Sequence, residues 1–431
     1  MNFLARQAGV KYAMKQLSAF LCLYSVALAG IAAKGPDFGS WPDLSKSTVD
    51  FFPGLNFGSG AKFTGKQLMT IAGGTVFLWD VESGRELKHF QITSGYVAAV
   101  AFSPGKKQFL TVSARQMGLL ILSDRVRLWD CATGLEIISI GERADDIHFS
   151  PDGKRILTVG ETVGLWDSTT GRKLLEFPKF DNLVRGPASY MAVNFSRDSQ
   201  RLAEIIRGGD QAKVWDALTG KELCTVSNNT GGFFTSIQLS PNGKLVLTGS
   251  YDRGRTWIPR TPRYGQSYLD PAIEGSAQTW DAKTGKLVRK FTGHTDMVRQ
   301  ALFTSGGQRI LTASYDGSAR LWETKTGKEI RRFQNLGSER VEQMAVSGNG
   351  KRLITKGRLK GDRYGASLWD VESGREILQF TNGFEYIVGF SPLDEKFMVI
   401  KDGKPLALWD GASGKIVRRY DTFATETSEK P

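Results

Sequence analysis

The stretch Thr279-Trp280-Asp281-Ala282-Lys283-Thr284-Gly285-Lys286 decides the fold, because its frame recurs along the chain. A tryptophan is followed at once by an acid, and Ser/Thr-Gly comes three and four residues after that acid. The same frame stands at Leu78-Trp79-Asp80, Leu128-Trp129-Asp130, Leu165-Trp166-Asp167, Val214-Trp215-Asp216, Leu321-Trp322-Glu323, Leu368-Trp369-Asp370 and Leu408-Trp409-Asp410. Of the ten tryptophans only Trp41 and Trp257 fall outside it. Each member has a physical task. The ring ends a strand and fills space between neighbouring sheets. The acid accepts backbone N–H groups in the turn that follows, and the glycine supplies positive φ for a tight, bulged hairpin. The run Lys286-Leu287-Val288-Arg289-Lys290-Phe291 then alternates charge with bulk, as a half-exposed outer strand does.

Upstream of each unit lies a second hairpin signal, such as His148-Phe149-Ser150-Pro151-Asp152-Gly153 running into Arg155-Ile156-Leu157-Thr158-Val159. In the first unit it reads Leu55-Asn56-Phe57 and then Gln67-Leu68-Met69-Thr70-Ile71. The tryptophans are 37 to 65 residues apart, the period of a four-stranded propeller blade. The chain thus resembles the WD40 repeat family over residues 51–422. The resemblance implies an all-β fold: a single closed β-propeller of eight four-stranded blades, or seven if one divergent unit packs irregularly. Closure hides strand edges that would otherwise pair with other chains.

The family also carries a hydrogen-bonded tetrad, which the sixth unit matches in full: Gly293-His294 at its opening, Ser314, Asp316 and Trp322. This resemblance gives His294 and Asp316 a structural role instead of a catalytic one. Elsewhere the glycine stays and the histidine goes, as at Gly95-Tyr96, Gly141-Glu142, Gly337-Ser338 and Gly383-Phe384. Those blades are expected to rely on apolar packing.

Residues 1–29 read as a secretory signal peptide. Arg6, Lys11 and Lys15 precede an apolar run from Leu17 to Ala33, and Ala27-Leu28-Ala29 supplies small residues for cleavage. Translation starts at Met1 or Met14. An uncleaved membrane anchor is the alternative. Residues 30–50 are a polar lead-in and 423–431 a polar tail. The expectation is an exported, periplasmic or secreted, monomer. Three cysteines (Cys22, Cys131, Cys224) without a CxxC pair, and three scattered histidines, point to no disulfide framework and no metal centre.

The formal charge of +13 favours acidic partners: an acidic protein, a membrane surface or a cell-wall polymer. Nucleic acid is disfavoured by the signal segment and by the lack of an RNA- or DNA-binding motif. Two loops concentrate basic and aromatic residues. One spans Tyr251 to Gln278 and holds Arg253, Arg255, Trp257, Arg260, Arg263 and Tyr264; the other holds Lys356, Arg358, Lys360, Arg363 and Tyr364. They are expected on one face, flanking the sixth blade, as a candidate binding patch. A third extended loop, Ser113 to Asp124, is apolar. The expected function is a non-catalytic scaffold that binds a protein partner, without a cofactor.

The alternative is a propeller enzyme. The Asp-x-x-Thr-Gly-Lys turns also resemble quinoprotein dehydrogenase repeats, which carry tryptophan eight residues after the acid. Those positions here are Lys88, Ile138, Leu175, Cys224, Arg289, Arg331, Leu378 and Arg418, so this likeness stops at its defining residue. No GxSxG, HExxH or P-loop sequence occurs.

Overall fold

The computed structural model describes residues 61–419, interrupted at 178–192, at 253–273 and at scattered stretches of four residues or fewer. The expected signal segment, the lead-in, the first-unit strand at Leu55-Asn56-Phe57 and the polar tail lie outside the described residues.

Eight antiparallel sheets of four strands each occupy 61–91, 96–140, 146–177, 193–227, 233–294, 298–334, 338–380 and 384–419; they are numbered here as blades 1 to 8. Within each blade the spatial order of strands is their order in sequence, so every blade is an uninterrupted meander. First strands of adjacent blades pack against one another and ring the axis. The first strand of blade 1, Ala61–Thr64, meets that of blade 8, Phe384–Phe390, and closes the circle. Eight blades, not seven, complete the ring.

The repeated tryptophan performs the task expected of it. In all eight blades the pairing of the third and fourth strands slips by one residue at the tryptophan. In blade 3 the Asp167 carboxylate accepts Thr170 N–H at 2.7 Å and the Thr170 hydroxyl at 2.8 Å. Gly171 N–H bonds the Asp167 carbonyl at 2.9 Å with φ of 69°, so the turn needs the glycine. These bonds hold the turn aspartates, exemplified by Asp167, below the usual carboxylate range. In blades 2 to 8 the ring of the tryptophan packs into the preceding blade. Trp129 lies with Met69, Val76 and Phe90 of blade 1, Trp322 with Leu247, Ala277 and Phe291 of blade 5, and Trp369 with Leu311 and Phe333 of blade 6. Inter-blade cores of this kind supply most of the apolar burial.

In blades 1 to 7 the residue eight after the turn acid has a use unforeseen in the sequence: it grips the turn of the next blade. Leu175 of blade 3 covers Gly220 of blade 4, where an added Cβ would meet Leu175 Cδ2 at 2.9 Å. Ile138 covers Gly171 and Leu378 covers Gly414 in the same way. Where the position is polar it bonds a turn carbonyl instead. Lys88 donates to Ala132 O, Arg289 to Lys325 O at 3.0 Å, and Arg331 to Ser373 O at 2.9 Å. Cys224, a free thiol like Cys131, contacts Ala282 O at 3.5 Å.

A second set of inter-blade contacts starts from arginines at the head of second strands. Arg155 of blade 3 donates to Ser199 O and Ala217 O of blade 4 at 2.9 and 3.2 Å. Arg201 of blade 4 donates to Gly243 O of blade 5, and Arg352 of blade 7 to Gly411 O of blade 8 at 3.1 Å. Part of the basic excess is therefore spent holding neighbouring blades together.

Candidate functional site

The residues most easily mistaken for catalytic ones sit at the end of blade 6 where its second strand (Arg309–Ser314) runs out. Trp322 Nε1–H donates to Thr312 Oγ1 at 2.9 Å. The Thr312 hydroxyl bonds His294 Nε2 at 2.8 Å, and His294 Nδ1 bonds Asp316 Oδ2 at 2.7 Å. The indole donates and the carboxylate accepts, and a neutral imidazole carrying its proton on Nδ1 completes the chain, with the Thr312 hydroxyl donating to Nε2. Burial lowers the pKa of His294, outweighing its hydrogen bond to Asp316. Burial would raise Asp316, but bonds from His294 and Ser318 hold it well below the carboxylate range. His294 ends the fourth strand of blade 5 (Leu287–His294), and both of its ring nitrogens are thus committed to blade 6.

Ser314 is not the link assigned to it from the sequence. Its hydroxyl donates to Asp296 O at 2.9 Å and accepts Asp316 N–H at 3.1 Å. The tryptophan partner is instead the residue two beyond the one paired with Trp322, and Ile310 is that paired residue. Alternation of strand side chains puts both Thr312 and Ser314 on the tryptophan's side, and of the two it is Thr312 that lies at the reach of its ring nitrogen.

The same register position corrects the expectation that other blades rely on apolar packing alone. Thr70, Thr111, Thr158, Thr248 and Thr355 accept the indole N–H of Trp79, Trp129, Trp166, Trp280 and Trp369 at 2.9 to 3.0 Å. Blade 5 keeps the acid as well. Asp252 stands six residues beyond Val246, the partner of Trp280, as Asp316 stands beyond Ile310. It accepts Thr230 Oγ1 at 3.0 Å, Ser250 Oγ at 2.8 Å and Ser276 Oγ at 2.8 Å, with Lys290 Nζ at 3.3 Å. The signal was in the chain: Ser250-Tyr251-Asp252 repeats Ser314-Tyr315-Asp316.

Blade 4 departs from the threonine pattern. Glu204 occupies the threonine position and accepts Trp215 Nε1–H at 2.9 Å. Only 2 % of Glu204 is exposed, and its second carboxyl oxygen has no partner among the described residues. Burial pushes its pKa up to about 7, against the Trp215 bond.

The candidate patch is redrawn by the strands. Arg253, Arg255, Trp257, Arg260, Arg263 and Tyr264 lie outside the described residues, whereas Tyr251 and Asp252 end one strand (Leu245–Asp252) and Glu274 to Gln278 open the next (Glu274–Asp281). The blade 7 segment is no loop. Arg352–Leu359 and Arg363–Asp370 form a hairpin closed by Leu359 opposite Arg363. Lys356 sits within its first strand at 7 % exposure and cannot offer a surface charge. Arg358 is half-buried and Lys360 exposed. Arg340, which the sequence did not single out, pairs across from Arg358, and its guanidinium lies 4.9 Å from the Tyr315 ring of blade 6. The apolar segment Ser113 to Asp124 is likewise a hairpin, extended to Met117 opposite Leu120. All three lengthened connections join second to third strands, so they leave the same end of the ring. Among the described residues no three His, Cys, Asp or Glu side chains converge as a metal site.

Two segments, 220–254 and 285–323, match the family model described as WD domain, G-beta repeat. The chain is similar to Protein tipD of Dictyostelium discoideum, 25% identical over 52% of this chain and 39% of that protein. It is similar to a Guanine nucleotide-binding protein subunit beta of Nicotiana plumbaginifolia, 28% identical over 43% of this chain and 51% of that protein. A U3 small nucleolar RNA-associated protein 15 homolog of Xenopus tropicalis is 26% identical over 41% of this chain and 32% of that protein. These matches span about half or less of each relative's length. The crystal structure of the C-terminal WD40 domain of Sif2 superposes with a TM-score of 0.59 at 14% identity, covering 82% of this chain and 93% of that one.

Proposed function

We propose that this chain, a β-propeller of WD40 repeats, is a non-catalytic scaffold that binds an acidic protein partner at the end of the ring bearing its lengthened hairpins. One observation carries the reading: the side chains that resemble catalytic groups are committed to hydrogen bonds between the last strand of blade 5 and blade 6, while the hairpins of blades 2 and 7 extend beyond the repeat at a common end. The likeness to WD40 proteins, among them one named as a subunit of a larger assembly, supports an interaction role. Surface connections on a rigid frame are where binding groups are placed without disturbing packing. The acidic character of the partner follows from the formal charge of +13 and from the arginines gathered in the two basic segments.

The test replaces Arg255, Arg260, Arg358 and Arg363 together by alanine and measures capture of acidic protein partners by the whole chain. Loss of capture with unchanged melting is the expected result; intact capture rejects the patch. Capture by anionic vesicles or cell-wall polymer, and not by protein, replaces the partner class. Export is proposed from the N-terminal pattern alone; N-terminal sequencing of the protein outside the cytoplasm tests it, with a start near residue 30 expected.

A further inference from the structure

At the opposite end of the ring, the connections between first and second strands of blades 3 to 6 gather around a cleft of about 350 Å³. The apolar part of its lining that reaches the surface is Phe195 of blade 4 with Pro151 of blade 3 and Pro241 of blade 5, above the nearly buried Leu239 and Phe303. Arg197 is the single charged residue in the lining, it is exposed, and the lining contains no acid. Its neighbour Asp198 is committed elsewhere, accepting Ser196 Oγ at 2.6 Å and Gln200 N–H at 3.0 Å. Two carboxamides complete the polar part, Asn194 and Gln238. The Phe303 N–H donates to Gln238 Oε1 at 2.7 Å, which fixes that amide and leaves its NH₂ group without a protein partner among the described residues.

The cleft therefore offers hydrogen-bond donors and one positive charge beside a phenyl ring and two prolines. Its complement is a carboxylate attached to an apolar group. A phosphate would call for more than one cation and would leave the apolar lining unused. The volume suits one or two amino-acid residues and falls at the small end of ligand clefts. We infer that this cleft captures the C-terminal carboxylate and last apolar side chain of a partner peptide, with Arg197 as the anion-binding group. The site is independent of the lengthened hairpins, which leave the other end of the ring, and stands whether or not they bind.

Isothermal titration of the full chain tests this with acetyl-Ala-Ala-Phe and acetyl-Ala-Ala-Leu as free acids, the same peptides as C-terminal amides, and 3-phenylpropionate. The expected outcome is binding of at least one free acid, with its amide weaker by about tenfold or more. Arg197→Ala is exposed and should melt as the wild type does, yet bind the acid about tenfold or more weakly; Asn194→Ala should show a smaller loss. Equal binding of acid and amide, no binding of either acid at millimolar concentration, or unchanged binding by Arg197→Ala overturns the inference. Phenylpropionate binding as tightly as the peptides overturns the peptide reading in favour of a small-carboxylate site.

Discussion

Blades 4 and 6 place different groups at one register position beneath the repeated tryptophan, Glu204 in the first and Thr312 in the second. A hydroxyl accepts and donates, so Thr312 accepts the indole N–H of Trp322 and passes a bond on to His294 and Asp316. An ionised carboxylate only accepts, so the chain in blade 4 stops at Glu204, with one oxygen unpartnered among the described residues. The two blades then answer pH in opposite directions. The folded pKa of His294 is lowered, so its contribution is present above its unfolded value near 6.5 and is lost as pH falls. The folded pKa of Glu204 is raised to about 7 from 4.5, so the contribution of blade 4 is full below 4.5 and is lost as pH rises through 7.

The largest change that breaks this comparison removes the ring itself. Trp322→Ala opens a cavity against blade 5 and cuts the relay, and should cost about 3–5 kcal/mol in urea unfolding. A cost near 1 kcal/mol would mean that the inter-blade core re-forms without it. Next comes Glu204→Gln, which keeps the shape and removes the charge. The stability difference between variant and wild type should grow in the variant's favour by roughly 3 kcal/mol between pH 4.5 and pH 8. A flat difference across that range shows that Glu204 stays solvated. The smallest pair separates two residues of blade 6. Thr312→Val strands the indole N–H and His294 Nε2 and should cost about 1–3 kcal/mol, whereas Ser314→Ala should cost about 1 kcal/mol or less. Equal losses would undo the assignment of Thr312 as the link.

Much of the frame could be read from the chain because the repeat is local. Trp-Asp-x-x-Thr-Gly sets a strand end, a capped turn and a bulge within six residues, and eight copies define a ring. The candidate site was less legible because it depends on register across strands. Ser314 looks right by proximity to Asp316 along the chain, yet counting from the partner of Trp322 selects Thr312. Lys356 looks like a loop residue beside Gly357, Arg358 and Lys360, but both flanking stretches pair as strands and carry it inward. Asp252 was absorbed into an insertion although its Ser-Tyr-Asp context repeats that of Asp316. The inter-blade role of the residue eight after the turn acid needed the neighbouring blade to become visible.

That each blade is one uninterrupted stretch, with no strand borrowed across the closure, has a consequence for engineering. Every sheet is a separable cassette of the coding sequence. The chain could be reopened between blades 6 and 7 and its present ends bridged by a flexible tether, so that it starts at Ser338 and finishes at Gln334. All eight sheets would keep their internal pairing, and only the covalent order of the cassettes would change.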